Sequence, residues 1–177
     1  MTFFKKFLRT VEAEDGTSTI EFVIIVPVFL LIFVSMFELG MAMTRLTMLE
    51  HSLDVTMRDI RIETGREWSH DEIRDDICLN AGFLKECFGR LQVEMIRIDR
   101  DDWILPDPTA TCRDTSDHAP DPVTNVTNGE ASDIMFIRAC FAVEPLFPTF
   151  GLGAVVEVDT NQNMHLVASS AFAQEPE

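Results

Sequence analysis

Between Glu21 and Glu38 the chain runs for sixteen residues without a charge, "FVIIVPVFLLIFVSMF". After Glu38 the apolar character resumes through "LGMAM" to Met43. As a helix, residues 22–43 would reach roughly 33 Å, comparable to the roughly 30 Å hydrocarbon core of a bilayer. The segment can cross a membrane once. No second stretch of comparable length follows, so two readings stand: a single-pass membrane protein, or a secreted one whose apolar segment is removed. The whole chain has 177 residues, which leaves room for one modest domain after the anchor.

That domain is acidic. Three basic and five acidic residues lie in 1–43, which leaves −14 of the total −16 charge to the rest. Such a surface disfavours nucleic acid and anionic lipid headgroups as partners of the soluble part. The four cysteines, Cys78, Cys87, Cys112 and Cys140, all lie beyond the apolar run, with no CxxC pair and no histidine at zinc-site spacing. They are disulfide candidates, two bridges with three possible connectivities, against reduced thiols that partly fill the core; as disulfides they would place residues 44–177 outside the cytoplasm.

The remaining pattern predicts an α+β fold. Leu46, Leu49, Leu53, Met57 and Ile60 recur at steps of three and four among charged residues, and no Gly or Pro interrupts residues 41–64. This predicts one long helix, lipid-embedded at first and amphipathic afterwards, ending near Gly65. Ser69 followed by Glu72 marks a capping box at the start of a second helix. "LQVEMIRID" alternates and then shifts phase, which suits a strand with a bulge. "IMFIRACFAV" (134–143), "AVVEV" (154–158) and "MHLVASSAFA" (164–173) are further expected strands, with "DTNQN" (159–163) as a hairpin connection. Residues 105–132, rich in Pro, Asp, Thr and Asn, form a long loop that Cys112 can pin. The expected units are a leader (1–16), a transmembrane helix (17–43), its amphipathic extension (44–64) and an antiparallel α+β domain (65–177).

Glu21 and Pro27 are oddities in such a helix. An ionised carboxylate in hydrocarbon is costly unless paired or interfacial. Proline removes one intrahelical hydrogen bond, tolerated in a bilayer when neighbours or water satisfy the freed carbonyl. A cut after Gly16 would place a new α-amino group on Thr17, with Glu21 the fifth residue of the cut chain. The missing partner would then exist. The order of polar leader, Gly16, "TSTI", Glu21 and Phe22 ahead of the apolar run is the arrangement of type IV prepilins.

With Pro27 six residues after Glu21, "EDGTSTIEFVIIVPVFLLIF" resembles the start of TadE-like proteins, pseudopilins of the tight-adherence (Flp) pilus system, over roughly residues 7–45. Glu12, Glu14 and Asp15 before Gly16 depart from basic type IV leaders but suit this branch. The resemblance implies a processing site at Gly16, Thr17, Glu21 and Phe22, cut by a prepilin peptidase, and helix packing or assembly roles for Glu21 and Pro27. It also implies a bacterial inner-membrane location, with the N-terminus cytoplasmic and the domain periplasmic. The implied partners are other minor pseudopilins, the major Flp pilin and the inner-membrane assembly platform. Glu38 is expected to mark the membrane boundary or to face a partner helix.

Rival readings are an anchored periplasmic binding domain unrelated to pili, and an acidic protein released by a cut after Ala42, where "GMAM" offers small residues. His51, His70, His118 and His165 stand apart. The acidic stretches at 99–103 and 113–121 lack a calcium-loop pattern, so no metal or other cofactor is expected. Asn125 heads an "NVT" sequon expected to be unused, and no enzyme-like constellation is present. Met36, Met41, Met43, Met48 and Met57 crowd the long helix, either as adaptable packing at helix contacts or as plain lipid-facing or core filler.

Overall fold

The computed structural model describes residues 17–63, 65–99, 107–115 and 125–175. Its first element, α1 (Thr17–Ile62), is a single helix of 46 residues, about 69 Å long. Pro27 lies inside it without ending it. Beyond Ile62 the chain turns away, with Gly65 in the left-handed region at φ 87°. The C-terminal half carries the expected stripe: Leu49, Leu53 and Ile60 are buried, with Met57 partly so. Ser52 and Thr56 are buried between them on the same face.

The second helix, α2 (His70–Asn80), begins at the predicted capping box. The Ser69 hydroxyl accepts from the Glu72 N–H, while the Glu72 carboxylate accepts from the Ser69 N–H at 2.9 Å. These contacts hold Glu72 below the ordinary carboxylate range, the Ser69 N–H being the largest cause. A short helix, α3 (Cys87–Arg90), leads into β1 (Leu91–Ile98). It is tied back to α2 by the Cys78–Cys87 disulfide.

The sheet has three strands in the order β1, β2 (Ile134–Val143) and β3 (Met164–Ala173), both pairings antiparallel. Aligned rows such as Leu91, Phe141 and Leu166, or Val93, Ala139 and Ala168, put one apolar face toward the helices. Leu49 and Leu53 of α1 and Ile73 and Ile77 of α2 complete that core. The opposite face carries Glu94 across from Arg138, a buried ion pair. Arg138 also donates to the carbonyls of Asp107 (2.8 Å) and Thr109 (2.9 Å). Together with the Cys112–Cys140 disulfide, these bonds hold residues 107–115 of the long loop over that face. A bare sheet face would leave the charged pair in water, where it holds little.

Three expectations need correction. The β1 ladder pairs without interruption from Leu91 to Ile98, so there is no bulge. Its phase shift arises because both faces are covered, which removes the need for alternation. Residues 154–158 are not a strand: the chain forms a 3₁₀ turn, η1 (Gly151–Ala154), that packs on α1 instead of pairing with the sheet. Consequently 159–163 is no hairpin. It is a turn closed by Asp159, whose carboxylate accepts from the Asn161 and Asn163 N–H groups at 2.8 Å each. Residues 116–124 of the long loop, including His118, lie outside the described residues.

Removing the Cys112–Cys140 bridge, which closes a separation of 28 residues, should lower stability by about 3–4 kcal/mol on the chain-entropy model. The Cys112→Ser/Cys140→Ser double variant in a urea titration of the detergent-solubilised chain checks this, and an unchanged midpoint would contradict it.

Acid should act on the turn at Asp159. Burial pushes that carboxyl up, but the N–H groups of Asn163 and Asn161, the Asn163 amide and His165 together outweigh it and hold it low. A group held low in the folded state contributes stability that is complete above the ordinary carboxylate range and fades as the pH falls through its folded value. Between about pH 6 and pH 3 the urea midpoint should therefore fall, and fall less in Asp159→Asn. Equal slopes in the two proteins would contradict this role.

Candidate functional site

The N-terminal half of α1 carries the residues singled out for processing. Gly16 lies outside the described residues, and the helix is described from Thr17 onward. Glu21, Phe22 and Pro27 are all exposed on it. From Ser18 to Phe33 every side chain but Val26 is exposed, on all sides of the helix. Water does not favour such a surface, and a helix apolar all round belongs in lipid or among other helices. The helix has the length and composition to cross a membrane, compatible with a single-pass anchor. Two of its hydroxyls are satisfied within the helix: Ser35 donates to the Leu31 carbonyl at 2.8 Å and Thr44 to that of Gly40 at 2.8 Å.

Glu38 differs from the exposed Glu21. It is only 2% exposed, whereas its neighbours Phe37 and Leu39 are 52% and 46% exposed. Its carboxylate accepts one hydrogen bond from the Gly153 N–H at 2.9 Å and another from the Phe147 N–H at 3.3 Å. Two glycines make this approach possible. A Cβ on Gly153 would stand 2.6 Å from the Phe147 carbonyl and 2.8 Å from Glu38, and one on Gly151, at φ 66°, would stand 2.8 Å from Ser35. Glu38 therefore meets this chain's own backbone, more than a hundred residues later, and is not left open toward a partner helix. It marks the point where the domain closes on the apolar helix.

Above this joint a cleft of about 550 Å³ opens, its lining including Arg45, Lys85, Arg90, Phe83, Leu146 and Glu144. Arg90 is bound on both sides, to Glu144 (2.8 Å) and Glu86 (2.9 Å), and the Glu144 bond is the main cause of its raised pKa. One buried guanidinium nitrogen of Arg45, Nη1, has no hydrogen-bond partner. His165 comes close to Cys112 and Cys140, but both sulfurs are consumed in the disulfide and offer no thiolate to a metal. The cysteine pairing, left open by the sequence, is Cys78–Cys87 and Cys112–Cys140.

The glycines and the Phe147 amide are the part of the site that sequence reasoning missed. A signal was present in "PLFPTFGLGAVV", twelve uncharged residues between Glu144 and Glu157. Its tail from residue 154 has the composition of a strand, and the two closely spaced glycines, Gly151 and Gly153, stand just before that tail in a stretch of unusual apolarity.

Replacing Glu38 with Ala would leave two N–H groups at the joint without their acceptor, at about 1–3 kcal/mol for the buried Gly153 N–H. The segment should open locally, with chymotryptic cutting at Phe147 or Phe150 accelerated about 5- to 150-fold, and Gly153→Ala should act in the same direction. Cutting rates equal to those of the unmodified chain would contradict the joint.

No curated protein and no solved structure matches the chain. A family model described as TadE-like protein matches residues 16–58. The match begins at Gly16 and takes in Glu21, Pro27 and Glu38, then continues past residue 45, where the resemblance noted in the sequence ended, into the buried stripe of α1. Over that segment the chain is similar to the TadE-like proteins.

Proposed function

We propose that the chain is a minor, assembly-promoting subunit of a tight-adherence (Flp) pilus, made as a prepilin and cut after Gly16 by a prepilin peptidase. The observation that carries this reading is the family match, whose first residue is the glycine at the expected cut. The exposed apolar helix supports it. In the mature protein Thr17 would bear a free amine close to the Glu21 carboxylate, and the helix would be held first in the inner membrane and then among other subunits. Two disulfides favour an oxidising compartment for the domain, here the periplasm.

The role is structural, not catalytic. Other pseudopilins, the major pilin and the assembly platform are the partners, met through the exposed half of α1. Release by a cut after Ala42 is disfavoured physically: it would remove Glu38 and leave the Gly153 N–H without its acceptor.

The N-terminal peptide of the protein isolated from its native membranes should begin at Thr17, with or without an added N-methyl mass. A start at Met1 or Met43 would overturn the reading. Gly16 replaced by a bulky residue should retain the leader and its lower gel mobility. Glu21→Ala should still be cut but should impair piliation, and normal piliation in that variant would count against the amine pairing.

A further inference from the structure

The joint at Glu38 sets the height at which the domain sits, and that height conflicts with a domain standing clear of the membrane. Ser35 lies about 20 Å along the helix from Phe22, and Glu38 about 24 Å, whereas a hydrocarbon core is roughly 30 Å thick. Gly151 packs against Val34 and Ser35, and Gly153 against Glu38. The 145–156 segment therefore lies beside the last turns of the uncharged run, level with the edge of the hydrocarbon. It does not lie beside the amphipathic half.

The composition of the segment fits that level. It has no charge between Glu144 and Glu157. Leu146 and Phe147 are exposed, Phe150 is 42% exposed and Val155 is 83% exposed. Phe83, half exposed, borders the same cleft as Leu146. In water these side chains would be an unfavourable surface, and in a leaflet they are at home. Higher up, Arg45 and Lys85 flank the cleft where phosphates of the headgroup layer would lie. Glu38 also becomes intelligible: at this depth a carboxylate needs donors that lipid cannot supply, and the Phe147 and Gly153 amides provide them.

Resting on the membrane-anchor reading above, we infer that residues 145–156 form a wedge that inserts into the leaflet on the domain's side, so that the domain is seated in lipid. The occupant of this apolar surface is the acyl and glycerol region of the membrane that α1 crosses. Leu146, Phe147, Phe150 and Val155 enter it, and the Glu38 joint fixes how deep they go.

The test uses the full chain, its four native cysteines in disulfides, reconstituted in vesicles of phosphatidylethanolamine and phosphatidylglycerol. A single added cysteine carries an NBD fluorophore at Phe33→Cys, Phe150→Cys or Val167→Cys, the last on the sheet face away from the helices. Quenching is measured with spin-labelled lipid and with aqueous iodide. The wedge predicts that Phe150 resembles Phe33, quenched severalfold more by the lipid than Val167 is, with a blue-shifted emission. If Phe33 is lipid-quenched while Phe150 answers to iodide as Val167 does, the wedge is wrong and the anchor stands. If Phe33 is not lipid-quenched, the anchor reading fails and the wedge with it. A Phe150 label shielded from both quenchers would assign the surface to a protein neighbour and overturn the lipid assignment. Leu146→Cys repeats the measurement should the Phe150 label disturb the turn.

Discussion

A carboxylate held by two backbone amides, Glu38 against Phe147 and Gly153, decides how this molecule is put together. The long helix already enters the domain core higher up, through Leu49, Leu53 and Ile60. A second attachment at the foot of the domain prevents rotation about the first. Gln174 adds a third, donating to the Ile60 carbonyl at 3.1 Å and fixing the end of the sheet to the end of the helix. Helix and domain are thereby tied at three levels.

That linkage explains the construction of the rest. A three-stranded sheet buries too little by itself, so one face rests on α1 and α2 while the other is roofed by the long loop. The roof contributes few apolar groups, and it is held by the Cys112–Cys140 bridge and the forked Arg138 instead. The connection from Trp68 to Asn128 works in the same manner. The Asn128 amide accepts from the Trp68 N–H at 2.9 Å and donates to its carbonyl at 3.2 Å, so a loop residue substitutes for a strand partner. In so small a domain, covalent and polar ties replace core volume.

Much of this was legible from residue pattern because the signals were local. The three- and four-residue steps of Leu49, Leu53 and Ile60 define a helix face whatever lies opposite. Ser69 and Glu72 are three residues apart and satisfy one another. The strands 134–143 and 164–173 follow from continuous β-forming runs bounded by loop residues. Gly16, Glu21 and Pro27 were legible as a linear motif, which needs no fold to be recognised. What could not be read was long-range. The "AVVEV" run has the composition of a strand, but Gly151 and Gly153 let the chain approach the helix, and Glu38 captures its amides in place of a sheet edge. The phase shift in β1 misled for a related reason, since nothing local announces that a disulfide-bound loop will cover the second face.

α1 passes without a hinge from the apolar span into the domain, and Glu38 locks the two together. Gly40, two residues past Glu38, is where a stalk with a flexible neck would bend. Hydrogen exchange of the full chain in lipid nanodiscs, resolved over residues 36–48, measures this directly. Protection continuous from the apolar run to Leu49, together with slow exchange at Gly153, is the predicted result. Rapid exchange confined to the turns around Gly40 would mean that the domain swings on its anchor, and it would contradict the claim.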